Sequence, residues 1–576
     1  IEVPLRQAVL CGPWGAYPRG NAELRDRKLY GQAKYPKGDH IVIRNLTFGY
    51  TREGYVTAGA VASGDYWTLQ DCTFQYMNAT GLWLGGDYAT VQRCRFLYNG
   101  KTGVAAKFRL HKALIEDCIA MHNNRKFYKI YWDAGGIKLH HTTDSIFRRV
   151  TLAFNYGASF WMDIDCERNL IEDSVSVGND GLGFFYEISD HGTFRNNVSF
   201  GNGVGIMYAH SANGIIEDNV LIGNNSGYIL GGDRGDYKGI NTTFQRNLVL
   251  ETLGKHVGWK WSKNPDGRSP KSNNTITDNT FAAVSGATAF EVYKLEPDLN
   301  AFEGQLETAF SNRQINGLNQ LPATDIAMLN KGLERTLSAL NQLEPELKLS
   351  TASPQLDAIW DLGAPGSIKG YWVQTNEAPV LLLVSHKPDT VALVTPPTSG
   401  IEVWSLPHLG NHQVERLDTT GNVLSVRPVG RFALIKGLSK ETRPLGTFAE
   451  IKALANGKSF KTIFDGDTYS INLTVHNVFD HDLGIHINGP GINNQSLSLA
   501  SGETRKLQVD LLATCAEQRP TYTISSDQLG LPLSYGVGFT VIRKGKATRS
   551  DDHLANIEVR HNDQINSTIW DELSGK

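Results

Sequence analysis

Short apolar strands separated by polar turns recur along the first half of the chain. A six-residue unit is repeated: an apolar residue, a polar residue, Asp, Asn or Arg, a small or polar residue, and a pair typical of β-strands. Ten copies start 22 to 32 residues apart, at Ile43, Leu69, Val91, Ile115, Phe147, Ile171, Phe194, Ile216, Phe244 and Ile276. Strands and turns at this period predict a solenoid of β-coils, and the absence of a Leu/Asn consensus with a helix excludes a leucine-rich repeat. We therefore predict an all-β fold that begins with a right-handed parallel β-helix.

Two sets of residues keep a fixed place in the repeat. Cys72, Cys94 and Cys118 occupy the same position of successive units, which predicts a buried column of free thiols. Asparagines recur 22 to 24 residues apart and predict a ladder of side-chain amides between coils: Asn155, Asn179, Asn202 and Asn224. The six cysteines form no CxxC or Cys/His zinc spacing, so we expect no metal site and no cofactor, and leave room only for a structural calcium ion.

The pattern changes after the last repeat. Leucines at helical spacing, Leu329, Leu333, Leu337 and Leu340, predict one or two helices that cap the solenoid and lead out of it. From residue 371 onward, alternating strands with Gly and Pro turns predict antiparallel β-sandwiches. We expect a β-helix over 1–298, a helical linker over 299–365, a β-sandwich over 366–445, and an immunoglobulin-like β-sandwich with a tail over 446–576.

Charge and hydropathy exclude some partners. The formal net charge is -3, which gives no reason to expect nucleic acid. No apolar run approaches the roughly 18 residues that a membrane span requires. The sequence starts at Ile1 without a methionine, so we expect a secreted or periplasmic protein from which a leader was removed.

Candidate chemistry concentrates between residues 131 and 197. Alternation along a strand sends Met162 inward and therefore turns Trp161, Asp163 and Asp165 outward. The same rule turns Glu187 outward, and also Lys138 with His140. Asp163 precedes the start of its repeat unit by 8 residues and Glu187 by 7, which predicts nearly equivalent positions on adjacent coils.

Glycosidases use a pair of carboxyl groups, and two outward carboxyl groups on neighbouring strands would supply such a pair. Adjacent strands lie about 4.8 Å apart, close to the roughly 5–5.5 Å that separates the carboxyl groups of retaining glycosidases. We expect Asp163 to be the nucleophile, and Glu187, among aromatic residues, to be the acid/base. Asp165 with Glu187 would instead form a wider, inverting pair. An outward Trp161 suits stacking on a sugar ring.

The runs Ala134-Gly-Gly-Ile-Lys-Leu-His, Trp161-Met-Asp and Tyr186-Glu with Asp190-His-Gly resemble the β-xylosidases of glycoside hydrolase family 120, and more loosely family 141. The resemblance implies a retaining enzyme on a β-helix with an immunoglobulin-like domain. It also implies that Asp133 is an assisting carboxylate, although the family uses Glu there and its His-Gly pair is displaced by one residue here. The residues expected to bind the carbohydrate substrate are Lys138, His140, Trp161, Asp165, Tyr186 and His210.

Two other functions remain open. A polysaccharide lyase would use Lys138 or His140 as the base that removes a proton beside a uronate, with Asp163, Asp165 or Glu187 holding calcium. A glycan-binding β-helix without catalysis would need no paired acids. The oligomeric state is not indicated by the sequence.

Overall fold

The structure is a computed structural model of the 576-residue chain. It describes residues 9–11, 39–50, 58–106, 109–130, 133–231, 239–252, 255–260, 274–282, 312–362, 368–385, 391–407, 412–419, 423–445, 449–455, 457–459, 462–464, 466–477, 482–514, 520–526, 533–536 and 540–542. Residues 299–311 of the predicted linker and 543–576 of the predicted tail lie outside these ranges.

Three parallel sheets wind around one core in the first half of the chain. In each of them, neighbouring strands come from successive coils, so the predicted parallel β-helix is confirmed. Sheet 1 contains Val9–Cys11, Ala58–Ser63, Thr80–Asp87, Thr102–Ala106, Leu110–His111, Gly135–Leu139, Thr142–Thr143, Ala158–Asp163, Leu182–Glu187, Val204–Ala209, Ser226–Gly231 and Lys255–Lys260. Sheet 2 contains Val42–Arg44, Thr68–Gln70, Thr90–Gln92, Leu114–Glu116, Ile146–Arg148, Leu170–Glu172, Thr193–Arg195, Ile215–Glu217, Thr243–Gln245 and Thr275–Thr277. Sheet 3 contains Thr47–Gly49, Thr73–Gln75, Arg95–Leu97, Ile119–Met121, Thr151–Ala153, Val175–Val177, Val198–Phe200, Val220–Ile222, Leu248–Leu250, Thr280–Ala282 and Arg313–Ile315.

The repeat unit is the corner between sheets 2 and 3. Its third residue takes a left-handed backbone in every copy, as at Asp71, Asp117 and Asp218, with φ between 54° and 57°. Asp and Asn tolerate this region better than most residues because their short polar side chains bond locally. Where the third residue is Arg, as at Arg93, its guanidinium pairs with the Asp71 carboxylate of the preceding coil at 2.8 Å. The corner residues thus hold adjacent coils together at the surface.

Inside the coil, like residues stack on like. The predicted cysteine column is confirmed, since Cys72, Cys94 and Cys118 are buried free thiols whose backbones follow one another on successive coils. The predicted asparagine ladder is also confirmed, and it extends two coils upstream through Asn99 and Asn123. A second ladder, not predicted, runs through Asn197, Asn219, Asn247, Asn279 and Asn312. Each amide bonds the next coil, which satisfies polar groups in a buried corner.

Helix α1 (Ala323–Leu343) lies along the outer face of sheet 3 and contacts four of its strands. All four leucines predicted from helical spacing are buried in this contact. Short 3-10 turns flank the helix at Leu318–Gln320 and Pro345–Leu347. Because strand Arg313–Ile315 pairs with Thr280–Ala282, the coil continues into the segment predicted to be linker. None of the described helices is long and apolar enough to cross a membrane.

The first antiparallel unit, residues 355–445, docks on the same face. Sheet 4 contains Gln355–Leu362, Ile368–Gln374, Val380–Ser385, Phe432–Lys436, Thr398–Leu406 and Gln413–Thr419, and sheet 5 contains Val423–Val426, Val391–Val394 and Arg443–Pro444. The two sheets share one apolar core, as in a β-sandwich. Tyr371, Val384 and Phe432 of sheet 4 pack against the coil. Arg431 donates to the carbonyls of Gly201 and Asn202 at 2.6 and 2.7 Å, which fixes the docked unit.

The second antiparallel unit, residues 449–542, has an apolar core to which Val423 and Leu445 of the first unit also contribute. Its strands are Ala449–Ala455, Lys458–Ser459, Thr462–Phe464, Thr468–His476, Leu483–Gly489, Ile492–Leu499, Thr504–Leu512, Thr521–Ser525, Leu533–Gly536 and Thr540–Ile542. Except for the parallel pair Thr462–Phe464 and Thr540–Ile542, these strands pair antiparallel.

Candidate active site

The candidate carboxylates end two adjacent strands of sheet 1. Asp163 closes Ala158–Asp163, Glu187 closes Leu182–Glu187, and the two residues are direct register partners. Met162 and Tyr186 beside them are fully buried in the coil core. Alternation then turns both acids to the outer face, one coil apart, at the spacing of about 4.8 Å between neighbouring strands. The predicted equivalence of Asp163 and Glu187 is confirmed.

A buried lysine contacts Asp163 from the preceding coil. Lys138 Nζ donates to Asp163 Oδ2 at 2.6 Å, and the lysine is only 3% exposed. Its register partner is Trp161, and Nζ lies 2.8 Å from the centre of the Trp161 ring. Phe185, the next register partner, stacks on the other side of that ring at 4.9 Å. One packed layer beside the two acids is therefore formed by three register partners on successive coils, Lys138, Trp161 and Phe185.

A second lysine–aspartate pair lies next to the first. Lys101 Nζ donates to Asp133 Oδ2 at 2.7 Å, and Lys101 is 2% exposed. Asp133 has φ 58° and precedes strand Gly135–Leu139, so its backbone turns just before the strand begins. His140 lies between the pairs, with Nε2 3.9 Å from Asp133 Oδ1 and 3.8 Å from Asp163 Oδ2. The structure thus brings together Asp133, His140, Lys138 and Asp163, with Glu187 beside them.

The electrostatics of the site are dominated by burial and by these acids. Burial lowers the pKa of Lys138 below its usual value, because a desolvated ammonium is disfavoured. The carboxylates of Asp163, Asp133 and Glu187 act in the opposite direction and favour the charged lysine. Lys138 is therefore within electrostatic reach of all three predicted catalytic carboxylates.

Two residues predicted to contact substrate, Trp161 and Tyr186, lie where a sugar has little access. Trp161 is on the outer face but 4% exposed, with one ring face against Lys138 and the other against Phe185, so it offers no free face to a sugar. Tyr186 points into the coil, is fully buried, and donates from its hydroxyl to the carbonyls of Asp190 and Cys166. Alternation itself predicts this inward direction for Tyr186.

Asp165 falls beyond the strand end, where the alternation rule no longer applies. Ile164 and Asp165 both have positive φ, 57° and 56°, so the chain turns here, and Ile164 is only half-buried although continued alternation would turn it into the core. The Asp165 carboxylate lies 3.3 Å from His141 Nδ1. His210 likewise follows the end of strand Val204–Ala209 and is half-buried. A substrate contact by Asp165 or His210 stays a prediction.

Lys101 belongs to the cluster but was not predicted from the sequence. It lies 32 residues before Asp133, and no motif joins the two. Only the register that sets Thr102 beside Gly135 brings Lys101 to Asp133. The asparagine ladder does not give this register, because a loop lies between Asn123 and Gly135 and lengthens the offset beyond the spacing of Asn99 and Asn123. Among the described residues, no group of three or more His, Cys, Asp or Glu side chains is arranged to hold a metal ion.

One comparison with known protein families agrees with the parallel β-helix. Residues 58–226 match the family described as the right handed beta helix region. No curated protein sequence matches the chain. Among solved structures, a double mutant of a periplasmic alginate epimerase is 9% identical over 49% of this chain and 69% of its own, with a TM-score of 0.36.

Two further solved structures are among the matches. An alginate lyase from Paenibacillus sp. str. FPU-7 is 14% identical over 48% of this chain and 91% of its own, with a TM-score of 0.27. The enzymatically active domain of bacteriophage CBA120 tailspike protein 2 is 12% identical over 86% of this chain and 69% of its own, with a TM-score of 0.24.

Proposed function

We propose that this protein is a retaining glycoside hydrolase that acts on a plant or algal polysaccharide or oligosaccharide, with β-linked xylosides as the first candidates. The observation that carries the proposal is the direct register of Asp163 with Glu187 on the outer face of adjacent strands. Stacked strands give a carboxyl separation near the roughly 5–5.5 Å of retaining enzymes and below the roughly 6.5–9.5 Å of inverting ones.

The roles follow from the surroundings of each acid. Asp163 is held at one oxygen by the Lys138 ammonium, which suits an anionic nucleophile. In the first step Glu187 gives a proton to the glycosidic oxygen while Asp163 attacks the anomeric carbon, and the bond to the leaving group breaks. In the second step Glu187 takes a proton from water, and the water oxygen displaces Asp163 from the anomeric carbon. We assign the role of assisting carboxylate to Asp133, which shares the His140 side chain with Asp163.

A panel of nitrophenyl glycosides, including β-xyloside and α-fucoside, tests the proposal through release of nitrophenol. Asp163→Ala should abolish turnover of every active substrate, and azide should restore some activity with an inverted glycosyl azide. Glu187→Ala should retain the first step on these activated leaving groups and give a retained glycosyl azide. Full activity in both variants would refute the assignment.

A polysaccharide lyase is the second candidate, because Lys138 combines a central position with a pKa lowered by burial, as a lysine base requires. Its mark is an unsaturated uronate product, which absorbs in the ultraviolet. Digestion of alginate, pectin and glucuronoxylan with ultraviolet detection separates the two chemistries. An unsaturated product that disappears in Lys138→Ala but persists in Glu187→Ala would establish the lyase.

A further inference from the structure

We infer that Lys138 is a positioning residue for Asp163: the ammonium, clamped on the Trp161 ring, fixes one carboxylate oxygen and leaves the other as the reacting atom. This inference rests on the proposed function. It replaces the expectation that Lys138 binds substrate directly, and it gives Trp161 a role other than sugar stacking.

The first argument is the geometry of the ammonium group. Lys138 Nζ is 2.6 Å from Asp163 Oδ2 and 2.8 Å from the Trp161 ring centre, and the side chain is 3% exposed. A cation on an aromatic face is held by the ring quadrupole, and the attraction strengthens when water is excluded. Lys138 is therefore enclosed in the layer that it forms with Trp161 and Phe185. Almost none of its side chain is exposed for contact with a sugar.

The second argument is the other oxygen of Asp163. Asp163 Oδ1 is buried and has no hydrogen-bond partner among the described residues. An unpartnered buried acceptor costs free energy unless something else compensates it. A nucleophile needs such an oxygen, since an atom already committed to a donor attacks poorly. The two oxygens therefore differ: Oδ2 is anchored by Lys138, whereas Oδ1 has no hydrogen bond that must break before it reacts.

The third argument is the charge around the pair. The groups that face Lys138 and Asp163 are the acids Asp133 and Glu187, together with His140, and Lys101 compensates Asp133. Burial alone would release the lysine proton at a lower pH than on a surface lysine, and the acids oppose that loss. As pH rises through this lowered pKa, Lys138 becomes neutral, the anchor on Oδ2 weakens, and turnover should fall.

Chemical rescue tests the inference on the aryl glycoside that the wild type hydrolyses best. Lys138→Ala should lower kcat on the order of 100-fold, with KM nearly unchanged, because a misplaced nucleophile affects the reaction more than binding. Ethylammonium should restore part of kcat by filling the vacated space with a cation, whereas ethanol of similar size should not. With amines of lower basicity, the alkaline limit of rescued activity should move to lower pH.

Lys112→Ala is the matched control, because Lys112 also lies over an aromatic ring, that of Tyr88, but on the exposed surface. It should keep wild-type kcat and show no response to amines. Trp161→Leu keeps the lysine but removes its clamp, and should reduce kcat less than Lys138→Ala, again without a change in KM.

The outcomes are separable. Full kcat in Lys138→Ala, or equal rescue by ethanol and ethylammonium, would overturn the positioning role even if the wild type is a glycosidase. If the wild type hydrolyses no glycoside, the proposed function fails. In that case, the cation site is still tested by thermal unfolding of Lys138→Ala. If the vacated space binds a cation, ethylammonium should raise the Tm of this variant more than ethanol does.

Discussion

The outer faces of sheet 3 and sheet 1 differ in the side chains that they present. On sheet 3 the outward positions are apolar in successive coils: Leu97, Met121, Ala153, Val177, Phe200, Ile222 and Leu250. Helix α1 and sheet 4 cover them. On sheet 1, around residues 133–187, the outward positions carry Lys138, His140, Asp163 and Glu187. The backbone is alike on both faces, so the difference lies in the side chains. Those on sheet 3 pack against helix α1 and sheet 4, and those on sheet 1 carry the charged groups of the candidate site.

The corner beside the covered face shows how docking constrains sequence. Upstream, this corner carries a stacked aromatic ladder that includes Tyr76, Tyr98 and His122. Where sheet 4 approaches, the same corner position becomes glycine in three coils, at Gly178, Gly201 and Gly223, all with positive φ. A side chain there would meet residues of the docked unit or of the coil. The covered face is therefore specified by apolar residues and by glycines together.

The largest effect on stability is expected at the covered face. Phe432 is fully buried, with its ring 5.6 Å from Phe200 and 6.0 Å from Phe154. Phe432→Ala should reduce the free energy of unfolding by about 3–5 kcal/mol, because it leaves a cavity between sheet 4 and the coil. Val429→Ala on an exposed turn of the same unit should change it by less than about 0.5 kcal/mol. Urea unfolding measures both, and equal effects would contradict the assignment of the covered face.

A smaller effect is expected at the glycine corner. Gly223 and Gly457 have φ of 59° and 73°, but only at Gly223 would an added Cβ overlap with the Tyr371 hydroxyl. Gly457→Ala should cost about 1 kcal/mol from the left-handed backbone alone. Gly223→Ala should cost about 1–3 kcal/mol more, from crowding. If urea unfolding shows the same cost for both, the corner is not constrained by docking.

The smallest effect is expected on sheet 2, where outward side chains form partly exposed ion pairs between coils. Arg195 bonds the Glu172 carboxylate of the preceding coil at 2.7 Å, with the arginine 44% exposed. Arg195→Ala should reduce the free energy of unfolding by less than about 1 kcal/mol, since water and side-chain entropy offset an exposed pair. The difference should shrink further in high salt. A loss above about 2 kcal/mol would show that ion pairs on this face stabilise the fold more than exposed pairs are expected to.

The coil could be predicted from the sequence because its signals are periodic. The repeat unit, the cysteine column and the asparagine ladder each recur at the coil length, and stacking preserves the residue type at each level. The equivalence of Asp163 and Glu187 followed from counting back to the next repeat start. Those inferences require only the register between coils, which the repeats supply.

Burial at the site could not be predicted in the same way. Alternation says that Lys138 and Trp161 point outward, but not that each would cover the other. The rule also fails where a strand ends, as the left-handed turn at Ile164 and Asp165 shows. Lys101 was missed because its contact with Asp133 joins residues that share no motif. These features depend on contacts between coils at single positions, which leave no period in the sequence.

The stereochemistry of the first product tests the pairing of Asp163 with Glu187 most directly. Proton NMR of the anomeric signals, recorded within the first minutes of hydrolysis of an active aryl glycoside, reports the sugar before it mutarotates. Two displacements at one carbon, first by Asp163 and then by water, predict that the configuration of the substrate is retained. A first product of inverted configuration would contradict the account, because it would require a single displacement by water between more widely spaced acids.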